Sequence, residues 1–152
     1  MSCLLKLKRV KKSSNEGKKV YSDRRKNDFA NMISKPLEYK GLPVYFNKHN
    51  EGIEKCYSKF IVGNEMFHST KQPDFRRLER LEWIYEIIEK ADECGTCYEF
   101  REGIERGKNL IYCVNKQYLI VLKKEHSHYV IITAYSVSND KKQQQKYLNM
   151  HL

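Results

Sequence analysis

Two arginines stand where an amphipathic helix should be apolar. Over residues 73–91 the side chains of Leu78, Leu81, Ile84, Tyr85, Ile87 and Ile88 recur at helical spacing, and Glu79, Glu82, Glu86, Glu89 and Lys90 take the other side. On a wheel that starts at Phe75, Arg77 falls at about 200°, in the middle of the apolar arc, and Arg80 at about 140°, near its edge. A buried guanidinium without a counter-charge is very costly, so Arg77 must reach a carboxylate, backbone carbonyls or an open groove. In a groove, Arg77 and Arg80, with Arg76 beside them, make a forked cationic surface. Such a surface holds phosphate oxygens two at a time and stabilises charge that builds on phosphorus. The alternative is structural, a buried ion pair of Arg77 with Glu99 or Glu102, or a side chain snorkelling from the helix start.

A second set comes from the last strong strand, residues 129–135. With a period of two, Tyr129, Ile131, Thr133 and Tyr135 share one face, and the last two place hydroxyls at the strand's C-terminal end. Hydroxyls there can donate to phosphate, and a tyrosine can stack on a base, although β-branched and aromatic residues are also simply good strand formers. His68 precedes the arginine helix, where an imidazole suits general acid–base work near neutral pH; a lone loop histidine is more commonly a surface residue.

Charge points to a polyanionic partner. The chain carries a net +10, and residues 1–26 alone hold ten Lys or Arg against Glu16 and Asp23. Lys8, Arg9, Lys11, Lys12, Arg24 and Arg25 are the candidates in this segment for contacts to a nucleic-acid backbone, since each neutralised phosphate releases counterions. A solvated tail that aids solubility is the rival reading, and an anionic membrane surface a lesser one, because Leu4, Leu5, Leu7 and Val10 make no extended apolar face.

Five cysteines, Cys3, Cys56, Cys94, Cys97 and Cys113, are odd in number and scattered, which argues against a disulfide framework and for a reducing compartment. Cys94 and Cys97 form half a zinc site, no second pair completes it, and no metal or cofactor is expected. The apolar runs at residues 118–122 and 129–132 are far shorter than the ~18 residues of a membrane span, and the first ten residues lack a secretory core. A cytoplasmic protein with no membrane partner is expected.

The elements that must position these residues follow from their order. Residues 1–27 read as a basic, flexible arm, with a break at residues 13–17, and residues 28–138 as one α+β domain. Residues 139–152 read as a polar tail or short helix. A short strand at 43–46 precedes the helix at 73–91, and strands at 97–101, 109–114, 117–124 and 128–137 follow it. Connections as short as Asn115–Lys116 and residues 125–127 favour antiparallel hairpins. Helices first and a meander after predict helices packed on a roughly four-stranded antiparallel sheet.

The string from Pro73 to Ile84, with its Arg76, Arg77, Glu79, Arg80, Trp83 and Ile84, and the later Thr133-Ala-Tyr135, resemble a known group. It is the phage-associated branch of the barnase, EndoU, colicin D and RelE-type (BECR-fold) nucleases. Residues 41–46 and 54–60 are similar to the lead-in of such domains, and the resemblance spans about Gly41 to Val137. It implies helices followed by a four-stranded antiparallel sheet and metal-independent RNA cleavage, in which the ribose 2′-OH attacks phosphorus and leaves a cyclic phosphate. It implies phosphate binding by Arg77 and Arg80, and a shared cleft lined by Thr133 and Tyr135. Many relatives place a histidine before the arginine helix. Here that segment offers Lys59, with His49 upstream and His68 downstream, so the acid or base stays open among them. The expected activity is an endoribonuclease, a toxin or phage-linked effector with RNA as substrate and an antitoxin or immunity protein as inhibitor. The alternatives are a non-catalytic RNA- or DNA-binding module, with the arm for affinity and the sheet as platform, and a phage-associated structural adaptor.

Overall fold

A computed structural model describes residues 9–46, 78–91 and 99–150 of the 152-residue chain. In chain order these form α1 (Lys18–Ile33), β1 (Glu38–Tyr39), β2 (Leu42–Phe46), α2 (Leu81–Ala91), β3 (Phe100–Glu105), β4 (Lys108–Cys113), β5 (Tyr118–Lys124), β6 (Tyr129–Ser136) and α3 (Lys141–Leu148). The class is α+β. No helix among the described residues is long and apolar enough to cross a membrane.

Strands β3 to β6 pair antiparallel in sequence order, as short connections require. The β3–β4 turn has positive φ at both Arg106 (52°) and Gly107 (76°), the mirror-image two-residue turn whose twist suits paired strands. The sheet extends beyond this meander. β2 runs parallel to β6, with Val44 opposite Tyr129, and β1 folds back antiparallel on β2. The result is a six-stranded mixed sheet in the order β1-β2-β6-β5-β4-β3. This corrects the expected four-stranded antiparallel sheet. The physical reason is that β6 would otherwise leave a row of peptide groups unpaired beside a buried face, and β2 satisfies them.

The sheet also curls. Tyr39, on one edge strand, donates its hydroxyl to Glu102 on the other, and Lys40 Nζ lies 3.8 Å from the same carboxylate. α2 packs on the concave side, against β1 and β4. Its buried residues Leu81, Trp83, Ile84, Tyr85, Ile87 and Ile88 cover most of its circumference and join Ile111, Ile120, Leu122 and Ile131 in the main core. On the convex side a smaller cluster, including Leu110, Tyr112, Leu119 and Val121, lies under α3, which contributes Tyr147. Asp140 caps α3 by accepting from the Gln143 N–H at 3.0 Å, which satisfies a helix N–H that has no carbonyl partner.

α1 corrects the expected arm. It begins at Lys18, well inside residues 1–27, and Tyr21, Arg25 and Phe29 stack at four-residue spacing on its inner face with 0, 1 and 0 % exposure. Residues upstream of it are also held. The Val10 N–H donates to the Glu79 carbonyl at 2.9 Å and the Tyr21 hydroxyl to the Val10 carbonyl at 2.5 Å. Residues 13–17, expected as a flexible break, form a turn in which the Glu16 carboxylate accepts from the Ser13 N–H.

Candidate nucleic-acid interface

The basic N-terminal residues divide into two groups once their partners are counted. Arg25 is buried between α1 and α2. Its Nε donates to the Leu78 carbonyl at 2.9 Å, and its two terminal nitrogens reach Glu82 and, at 2.7 Å, Asp28. The Leu78 carbonyl is open to this bond because the chain tightens at Arg80, where the Trp83 N–H bonds back three residues. Burial pulls the Arg25 pKa down, and the hydrogen bonds and charges of Glu82 and Asp28 more than reverse it. Arg24 grips Glu16 through Nε at 2.8 Å and Nη2 at 2.9 Å. That bond holds the Glu16 carboxyl down at about 2. Arg25 is therefore an internal fastener, which corrects its expected contact with nucleic acid, whereas the Arg24 side chain is tied to Glu16 at the surface, 40 % exposed. Arg9 pairs with Glu79 at 3.2 Å.

Lys11, Lys12 and Lys18 are the second group. With Tyr21 and Glu79 they line one pocket of about 280 Å³ where the N-terminal segment crosses α1. All three lysines are exposed. Lys12 Nζ donates to the carbonyls of Ser13 and Glu16, at 3.1 and 2.7 Å, which anchors the ammonium without neutralising it. Glu79, the one carboxylate in the wall among the described residues, is approached by Arg9 at 3.2 Å and by Arg80 at 3.8 Å, so the local balance there is positive.

The expected catalytic set does not assemble among the described residues. Arg80 is half-buried, with its guanidinium 5.1 Å from the centre of the Trp83 ring, in the core on the concave side. Thr133 and Tyr135 face the other way. A bulge pairs Thr133 with Val121 and Ile131 with Leu122, so Ile132 is an extra residue and the alternation changes phase there. Tyr129 and Ile131 remain in the main core, while Tyr135 packs in the convex cluster. This corrects the common face expected for the four residues, and it puts the sheet between Arg80 and the two hydroxyls. Arg76, Arg77, His68, Lys59 and Lys8 lie outside the described residues, as do His49, Cys94 and Cys97.

Two features went unread in the sequence. Lys18 and Tyr21 belong to the pocket, and their three-residue spacing ahead of Phe29 was the available signal for a helix face. Tyr45 and His128 meet across β2 and the start of β6, ring centres 5.4 Å apart at 61°, a pairing that only the parallel contact creates. No family model matches the chain, and no curated protein or solved structure matches it significantly.

Proposed function

We propose that this protein binds RNA, gripping the phosphate backbone with Lys11, Lys12 and Lys18. The observation that carries this reading is the convergence of three exposed lysines on one pocket where Glu79, the acidic wall residue among the described residues, is already paired with arginines. Ammonium groups held as point charges suit phosphate recognition that is indifferent to sequence. Arg9 and the lysines of the same segment would extend the track.

The test is the salt dependence of binding to a single-stranded RNA. Replacing Lys11, Lys12 and Lys18 together by Gln should weaken binding and flatten the slope of log K against log salt by about two units, roughly 0.7 per phosphate contact. An unchanged slope would overturn the assignment. Cleavage by 2′-OH attack, the nuclease reading with its antitoxin-like inhibitor, ranks second, because Arg80 faces away from Thr133 and Tyr135 and the reaction would depend on Arg77. Incubating the same RNA in excess chelator separates the two: cyclic-phosphate ends that disappear in Arg77→Ala make the protein a nuclease, and intact RNA leaves a binding module.

A further inference from the structure

The convex face of the sheet is only partly covered. α3 lies over Leu110, Tyr112, Leu119 and Val121, and at the other end of the strands no helix among the described residues covers a further row of side chains. The register defines that row: Lys108 pairs with Lys123, Lys123 with Val130, and Val130 with Tyr45, so the four share one face across β4, β5, β6 and β2. Tyr45 is 49 % exposed, on the part of β2 that runs past the end of β1. Its edge-on contact with His128 fixes its orientation. Lys123 is more than half exposed, its ammonium 3.6 Å from Glu125 on the adjoining turn, and Lys108 is exposed.

We propose that this row is a stacking platform for a base of single-stranded RNA, with Tyr45 as the stacking ring and Lys123 and Lys108 following the backbone. Strand spacing puts Lys123 about 10 Å and Lys108 about 15 Å from the tyrosine, within reach of the phosphates flanking a stacked base. Charge complementarity selects the occupant: an exposed aromatic ring in line with two lysines matches a nucleotide, which joins a π face to a phosphate, better than an apolar peptide. Thr133 is on the same face, further along β6. The inference rests on the RNA-binding reading above and adds where, and in what form, the RNA is held.

The experiment compares a uridine oligonucleotide with an abasic strand of equal length and charge, by fluorescence anisotropy. Tyr45→Ala should lower the ratio of the two affinities about ten-fold, and Tyr45→Phe should keep it. Lys123→Gln should reduce the salt slope by about one while leaving the ratio unchanged. Circular dichroism confirms that each variant is folded, and Tyr45→Leu, apolar but not aromatic, repeats the loss of the ratio if folding is intact. A ratio unmoved by both Ala and Leu overturns the platform while leaving the pocket standing, provided Lys11→Gln still weakens both strands alike. Absence of any RNA binding by the unaltered protein overturns both.

Discussion

Arg25 has 1 % of its surface exposed and holds two helices together by satisfying Glu82, Asp28 and the Leu78 carbonyl at once. Replacing it with Met leaves Glu82 partly buried with no cation and the carbonyl without a donor, at a cost of about 3 kcal/mol in urea unfolding. Adding Glu82→Leu should recover most of that loss, because two matched apolar residues cost less than one stranded charge. A double variant no more stable than the single would contradict this account. Glu16 gives a pH signature. Its pKa is depressed in the folded state to about 2 by Arg24, so its contribution is complete above about 4.5 and is lost as pH falls toward 2. Acid should loosen residues 9–17 from α1 over that window, seen as faster amide exchange at Val10, and Glu16→Gln should remove the dependence. At the alkaline end, burial pushes the Tyr85 phenol up to about 12. Its contribution is therefore full below about 10 and vanishes as pH rises through 12, with Tyr85→Phe as the control. Sequence reading misplaced Arg25 for a physical reason: a cation that ends inside the fold looks the same, residue by residue, as one in a tail.

The elements differed in how far they could be read. α2 was legible because its apolar residues repeat at helical spacing, and β4 and β5 because they are short continuous apolar runs separated by a short turn. α1 was not, since the middle of its apolar face is occupied by Arg25 and its flanks by lysines. The bulge at Ile132 was invisible for a different reason: one extra residue on a strand has no composition, only a consequence for everything after it. α3 illustrates how little an element needs. Apart from Tyr147 and the exposed Leu148 it is polar, and the Tyr147 ring packs 5.6 Å from Tyr112 over the convex cluster. Gln144 Nε2 adds bonds to the Val137 and Ser138 carbonyls, and Arg101 Nε satisfies the Leu148 carbonyl at 3.1 Å. Tyr147→Ala should cost about 3 kcal/mol and expose the cluster to a hydrophobic dye. Gly103 lies beneath the segment after α3, where a Cβ would come within 2.8 Å of Met150 Sδ. Because a thioether can swing aside, Gly103→Ala should cost below about 1 kcal/mol, and Met150→Ala should cancel it.

At the scale of the molecule, the pairing of β2 with β6 decides the architecture. Nothing local announces a parallel partner, so the sixfold order of the sheet was the least legible part, although α2 and the β4–β5 and β5–β6 hairpins were foreseen. Contacts of this kind join distant parts of the chain, and closure of long loops slows folding. β6 sits between β2 and β5, so the N-terminal ribbon of β1 and β2 has no further strand to pair with among the described residues until Tyr129 to Ser136 exist. A two-stranded ribbon is marginal alone. During synthesis, then, the first third of the polypeptide waits for almost the last strand to leave the ribosome. Nascent chains arrested before Tyr129 should stay protease-sensitive, and those arrested with α3 clear of the exit tunnel should become resistant in a single step.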